Sequence, residues 1–474
     1  MTTPMPAGSV ESAEAVIAGL VDRAKDAMDA FDNTNQAAID EAVTALAWSI
    51  YKPDNARRLA ELAVESTGLG NVEDKVVKNQ RKTFGTLRDL MRVRTTGVIE
   101  ELPELGLVKY GKPIGVVAAI TPSTNPAATP VNKAMMAVKG GNAVIIAPSP
   151  AGYAATAATV DGMRAELAKV GAPGDLVQIV PAPVDRERTK LLMRDADLIV
   201  CTGSQNNVRQ AYSSGTPAIG VGAGNVPVIV DESADLDDAA EKITASKIFD
   251  NATSCSSENS VIIVDEVFDD AIKALTRAGG YMATHDEGRR IVERLWIDGK
   301  LNRKVIAKDA ATLAEVFDLP SEASAARYFM VEETGVGRAH PLSGEKLSLV
   351  LAVYRARDFQ HAKELAIAIL NYQGRGHSVG LHTNLMERAR ELAEDMEVVR
   401  VLVNQAHTFA NGGGFDTGLP FTLSMGCGSW GGNSIAENLN YRHFINITHL
   451  VTSVAEDKPS EAELFGAYWE KYGQ

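Results

Sequence analysis

The chain is short of cysteine. It has three, Cys201, Cys255 and Cys427. An odd, sparse set with no CxxC spacing supplies neither a disulfide framework nor a zinc site, so no metal is expected. A reducing compartment is the simplest reading. Positive charge is also short: 47 Lys and Arg against 61 Asp and Glu leave a formal charge of −14. That balance argues against a general nucleic-acid or membrane-surface role, while leaving room for a local basic pocket. No apolar run approaches the roughly 18 residues a membrane span requires. The opening stretch "MTTPMPAGSVESAEAV" lacks a basic start followed by an apolar core. It is therefore not expected to be a secretory signal, and a cytoplasmic location is expected. The turn after "DLIVCTG" carries no GxGxxG dinucleotide fingerprint, and internal repeats and low-complexity linkers are absent.

What is present is ordinary globular sequence. The 474 residues are 45% hydrophobic and 23% charged, which predicts two or three domains with a sizeable core. Residues 10–95 read as helices: "SAEAVIAGLVDRAKDAMDAF", "QAAIDEAVTALAWSIYK" and "NVEDKVVKNQRKTFGTLRDLMR" follow helical spacing. "LGLVKYGKPIGVVAAITP" changes period and predicts two strands joined through Gly111, Lys112 and Pro113. Strands and helices then alternate through "GVVAAI", "NAVIIAPS", "LVQIVPA" and "DLIVCTG". Such alternation predicts a parallel sheet that binds ligands at its carboxyl edge. A second alternating block starts near Val228, with strands at "VPVIVD" and "SVIIVD", helices through residue 320, and further strands at "KLSLVLAVYRA", "SVGLHT" and "VVRVLVN". The glycine-rich stretch Asn411–Asn433 reads as a long ordered loop.

Several positions offer chemistry. Ser204 follows the strand in "DLIVCTGS", where an N-capped helix start can receive a pyrophosphate, or can be an ordinary strand–turn–helix junction. Cys255 sits among Thr253, Ser254, Ser256 and Ser257. It is either a small buried hydrophobe or a nucleophile on a polar turn whose amides stabilise an oxyanion. Asn125, in the proline-bracketed turn "TPSTNP", is either an oxyanion donor or a turn residue. Arg375 and His377 share a glycine turn, where a solvated arginine and a hydrogen-bonded histidine are the commoner outcome.

Together, "TPSTNP", "GAPGDLVQIV", "CTGS", "GAGNVP", the cysteine turn, "EKLSLVLAVYRA", "GRGHSVGLHT" and "LSMGCGSWGGNS" resemble the coenzyme-A-acylating branch of the aldehyde dehydrogenase superfamily. The match runs in the family's order over nearly the whole chain. The resemblance implies an α/β fold with a Rossmann-type cofactor domain (1–98 and 113–225), an α/β catalytic domain (226–415) and a small β oligomerisation arm (99–112 and 441–452). A glycine-rich loop, 416–440, would return to the active site. It implies Cys255 as nucleophile and Asn125 as oxyanion donor. NAD or NADP would be held by Thr121, Pro148, Ser149, Gly203, Ser204 and Gly222, with Glu345 on the nicotinamide ribose. Coenzyme A would be the co-substrate and a homodimer or homotetramer the assembly.

Two departures matter. Hydrolytic relatives carry a general-base glutamate where this chain has Val221, so transfer to a thiol is favoured over transfer to water. Ala147 and Pro150 replace a lysine and glutamate that hold the adenosine ribose in NAD users, which leaves NADP open. The resemblance leans toward anionic aldehydes such as sulfoacetaldehyde or succinate semialdehyde, with Arg375 and His377 expected at the substrate. The alternatives are an acylating acetaldehyde or propionaldehyde dehydrogenase, a hydrolytic aldehyde dehydrogenase, a cysteine hydrolase or acyltransferase using His377 or His407, and a binding protein that keeps only the fold.

Overall fold

The computed structural model describes residues 11–32 and 34–474. Most of the opening stretch read for a signal therefore lies outside the described residues. Two parallel sheets organise the chain. The first has five strands in the order Val177–Ile179, Ala143–Ala147, Val116–Ile120, Leu198–Cys201, Ala218–Gly220. The second has seven: Gly280–Met282, Tyr328–Glu332, Val350–Ala356, Glu258–Val264, Val226–Val230, Gly376–His382, Val398–Val403. Val116–Ile120, Ala143–Ala147 and Glu258–Val264 are buried at every residue, as expected of parallel strands covered by helices on both faces. Each fully buried valine or isoleucine there contributes about 1.5–3 kcal/mol by leaving water.

The first sheet reverses direction between Val116–Ile120 and Leu198–Cys201. A crevice opens at such a switch point, beyond the carboxyl ends of the strands. The second sheet meets that crevice with the opposite edge. Val226, Glu258, Val350 and Gly376 are strand starts, and the turns before them face the carboxyl edge of the first sheet. A third, antiparallel sheet joins Gly97–Leu102, Leu107–Pro113 and Ile445–Val451.

Some expectations change. Gly111 to Pro113 do not form a turn; they complete the strand Leu107–Pro113. The glycine is required by close approach, because a Cβ there would lie 2.2 Å from the Thr95 carbonyl oxygen. The bend falls instead at Ile114 and Gly115, whose N–H groups both donate to Asn142 Oδ1. The region 268–320 is not all helical: Gly280–Met282 is a strand, and Trp296–Ile297 pairs with Lys300–Leu301.

The helix Val72–Met91 turns the opposite way from its apolar pattern. It buries Lys75, Lys78, Asn79, Thr83, Gly85, Thr86 and Leu90, while Val77, Phe84 and Met91 are exposed. A helix that buries its polar face must satisfy each polar group. The partners of these side chains lead to the site.

Candidate active site

A cleft of about 700 Å³ lies between the two sheet edges. Its first wall is built from turns that follow strands, Thr121–Asn125, Pro148–Pro150 and Thr202–Gln205. Its second is built from turns that precede them, Val221–Gly224, Thr253–Cys255, Glu345 and Gln373. Cys255, Asn125, Thr121, Pro148, Ser149, Gly203, Ser204, Gly222 and Glu345 all line it, as does Val221. Apart from Cys255, the ionisable side chains of the lining are Asp185, Arg186 and Glu345.

The Cys255 turn is held by unusual backbone. Asp250, Asn251 and Ala252 have φ of 51°, 52° and 60°, a left-handed run that costs of order 1–3 kcal/mol per residue for side-chain-bearing positions. Buried charge compensates. Asp250 receives Lys75 Nζ at 3.0 Å and Lys78 Nζ at 2.5 Å, and Thr253 Oγ1 donates to it at 2.7 Å. Gly224 packs directly on the cysteine, since a Cβ there would lie 2.0 Å from the Cys255 carbonyl oxygen. The thiol itself is partly open to the cleft.

Asn125 is oriented by the same network. Lys78 Nζ donates to Asn125 Oδ1 at 2.8 Å. An ammonium has donors only, so this bond fixes the oxygen toward Lys78 and leaves the amide N–H₂ on the other side. Lys78 also donates to Thr253 Oγ1 at 3.2 Å. One side chain therefore ties the asparagine to the cysteine turn.

Burial, followed by the Glu345 carboxylate, pushes the Cys255 thiol up to about 12. Glu345 is itself raised to about 8 by burial, so it is largely protonated at neutral pH and the charge opposing the thiolate is then mostly absent. The other thiols differ in place. Cys201 ends the strand Leu198–Cys201, fully buried, and burial raises it to about 11. Cys427 is fully buried in the glycine-rich loop.

The strand-end turns are shaped to take a ligand. Ser204 caps the helix Gln205–Tyr212 by accepting from Asn207 N–H at 3.3 Å, and Ser149 caps the turn Pro150–Gly152. Thr121 Oγ1 is buried without a hydrogen-bond partner at the edge of the cleft, a hydroxyl available to a polar ligand. These groups fit a dinucleotide.

Arg375 and His377 correct the sequence reading, for neither lines the cleft. Gly374 and Gly376, at φ +93° and +84°, turn Arg375 away. Its guanidinium pairs with Glu397 beside a separate small cavity. His377 is fully buried, with Nδ1 2.7 Å from Ser378 Oγ, and the same hydroxyl meets His407 Nε2 at 2.8 Å. Burial and then Arg400 push His377 down to about 3, so it is neutral. With both rings engaged on Ser378, the Cys–His hydrolase reading loses its support.

Sequence reasoning missed Lys78, Arg186 and Arg400. Arg400 is buried, donates to the carbonyls of His377 and Gly426, and contributes a positive field at Cys255. Lys78 lies in a charged helical stretch that reads as solvated. Its partners are 47, 172 and 175 residues away, and no local pattern announces them.

A model of the aldehyde dehydrogenase family matches residues 5–287. A sulfoacetaldehyde dehydrogenase (acylating) of Cupriavidus necator is 51% identical over 474 residues, covering 100% of this chain and 96% of the relative. A succinate-semialdehyde dehydrogenase (acetylating) of Clostridium kluyveri is 40% identical, covering 96% of this chain and all of the relative. The crystal structure of an acetylating aldehyde dehydrogenase from Geobacillus thermoglucosidasius superposes with a TM-score of 0.90 at 33% identity, covering 94% of this chain and 98% of that one.

Proposed function

The chain belongs to the aldehyde dehydrogenase family, and on that premise we propose that it oxidises a short aldehyde to the corresponding acyl-CoA: aldehyde + CoA + NAD(P)⁺ give acyl-CoA + NAD(P)H + H⁺. The observation that carries this reading is the convergence of Cys255, Asn125 and Glu345 in one cleft whose lining includes Val221 but no carboxylate in its place.

Cys255 Sγ attacks the aldehyde carbon as its proton leaves, forming a thiohemiacetal. The Asn125 amide, held by Lys78, donates to the developing oxyanion. The nicotinamide, when bound, supplies the hydride acceptor. Thr121, Pro148, Ser149, Gly203, Ser204 and Gly222 hold the cofactor's phosphates and sugars, and Glu345 its nicotinamide ribose. The acyl group is then a thioester on Cys255. Water needs a base to become a competent nucleophile, whereas a few per cent of a free thiol is ionised at neutral pH. A cleft without a carboxylate at Val221 therefore passes the acyl group to the thiol of coenzyme A and regenerates Cys255.

The aldehyde is anionic in this reading. The Cupriavidus relative is named for sulfoacetaldehyde and the Clostridium relative for succinate semialdehyde, both short aldehydes ending in an anion. The antiparallel sheet exposes Ile447, Leu450 and Val451, which supports its use as a subunit-pairing arm. No helix among the described residues is long and apolar enough to cross a membrane.

Product analysis tests the proposal. With aldehyde, NAD(P)⁺ and CoA, the thioester is the main product and reduced nicotinamide appears with it in equal amount. Free acid formed at the same rate with CoA omitted would replace this reading with the hydrolytic one.

A further inference from the structure

With Arg375 facing Glu397, an anionic aldehyde needs another cation. The helix Val72–Met91 offers one. Lys78, Arg81, Lys82 and Gly85 fall on one face, at i, i+3, i+4 and i+7. Lys78 reaches Asn125 and Thr253, so this face abuts the reacting end of the cleft. Two acids near it are already engaged. Asp250 takes Lys75 and Lys78, and Asp89 takes Arg88. Arg81 has no carboxylate partner among the described residues, and its Nε is buried with no hydrogen bond. A buried guanidinium donor left unmatched is costly.

Aromatic rings surround it instead. The guanidinium carbon lies 5.8, 5.2 and 5.8 Å from the ring centres of Phe409, Phe415 and Phe421. The rings fall into two contacting groups, and Arg81 lies between them. Phe409 packs on Phe249 at 4.6 Å, and Phe249 stands six residues before Cys255. Phe421 is fully buried, two residues from the cleft-lining Leu423. Gly85 admits it closely, since a Cβ there would lie 2.3 Å from the ring. Phe415 touches Phe421 at 4.8 Å and is 47% exposed. Arg81 thus bridges the half-exposed pair Phe415–Phe421 and the pair Phe409–Phe249, with Lys82 Nζ beside Phe421 at 5.5 Å. In a chain of net charge −14, Arg81 and Lys82 stand on the same helix face as Lys78, which bonds to the cleft-lining Asn125 and Thr253.

We propose that Arg81 receives the anionic end of the aldehyde, inside the cage of Phe409, Phe415 and Phe421. The planar fork of donors suits a sulfonate or a carboxylate, and the rings exclude water from the pair. A neutral aldehyde leaves Arg81 as it is now. The inference rests on the proposed role of Cys255, and it deepens that reading by naming the residue that selects the substrate class.

The test compares kcat/KM for sulfoacetaldehyde, succinate semialdehyde and propionaldehyde in the parent and in Arg81→Leu. The variant is expected to lose about a hundredfold on the anionic pair, mainly through KM, and to keep propionaldehyde within about threefold. The anionic substrate with the larger loss identifies the anion that Arg81 fits. Arg81→Lys keeps the charge without the fork and is expected between the two. Should the leucine variant not fold, the parent still answers: ethanesulfonate should compete with the aldehyde, while ethyl methyl sulfone, its neutral analogue, should not. Uniform loss on all three aldehydes, a parent without preference for the anionic pair, or equal effects of the two inhibitors each overturn the inference while the acylating reaction stands. A parent that oxidises none of the aldehydes overturns the proposed function and this inference with it.

Discussion

Lys78→Met separates orientation from mere stability at the oxyanion donor. The substitution keeps most of the stem and removes three donated bonds, to Asn125 Oδ1, Asp250 Oδ2 and Thr253 Oγ1. Asp250 is not stranded, because Lys75 Nζ at 3.0 Å, Thr253 Oγ1 at 2.7 Å and the Asn71 N–H at 3.0 Å remain. The stability cost is therefore that of lost charge-assisted hydrogen bonds, about 1.5–3 kcal/mol, rather than the larger penalty of an unpaired buried charge. Catalysis has a ceiling and a floor. Losing an oxyanion donor outright costs about 10²–10³ in kcat. An amide merely free to flip is correctly placed about half the time, a factor of about two. We expect a loss of about tenfold in kcat with little change in KM for the aldehyde. The assay is reduced-nicotinamide absorbance at saturating CoA for the parent, Lys78→Met, Asn125→Ala and the double variant. If Lys78 acts through Asn125, adding Lys78→Met to Asn125→Ala changes kcat by less than about twofold. A full further tenfold loss in the double variant refutes the reasoning, because it assigns Lys78 an effect that does not pass through the amide.

Two other outcomes are expected. Glu345→Gln should speed alkylation of Cys255 by iodoacetamide about tenfold at pH 9, where the carboxylate near pKa 8 is ionised and opposes the thiolate, and change little at pH 6.5, where it is already protonated; peptide mass spectrometry reads the rate, and a pH-independent effect contradicts the assignment. Among the described residues, Arg186 is the one basic side chain in the cleft lining; if it takes the 2′-phosphate, Arg186→Ala should raise KM for NADP⁺ about tenfold and leave NAD⁺ within about twofold, and an equal rise for both cofactors excludes that role.

Much of the fold was legible because its central strands carry unbroken apolar runs. Val116–Ile120, Ala143–Ala147 and Glu258–Val264 are wholly buried, and the apolar run in each, only Val261 to Val264 in the last, carried the signal. The short strands Ala218–Gly220 and Gly280–Met282 have three residues each; their partners define them, and no pattern within them does. The cleft's wall residues were reachable through motif resemblance, whereas Arg375 was misplaced because proximity in sequence says nothing of direction. Two glycines in left-handed backbone send it to Glu397. Arg81 and Lys78 were hidden for the opposite reason. A charged helix reads as solvated, and only the buried polar face of Val72–Met91 shows that Val77, Phe84 and Met91 are not the residues facing inward.

That inverted helix links folding to chemistry through one carboxylate. Burial pushes the pKa of Asp250 up, but Lys78 and Lys75 outweigh burial and hold it below the ordinary carboxylate range. A depressed folded-state pKa contributes stability above the unfolded value, and that contribution is lost as the pH falls through the folded one. The group that gains this stability is the same one that pins the left-handed run Asp250–Ala252. Protonating Asp250 therefore does more than weaken an ion pair. It removes the acceptor that holds Lys78 between Asn125 and Thr253 and relaxes the strained turn that presents Cys255. On the proposed mechanism, nucleophile and oxyanion donor lose their relative placement together. The Lys78 ammonium on the amide oxygen also polarises Asn125 and makes its N–H₂ a stronger donor where negative charge develops.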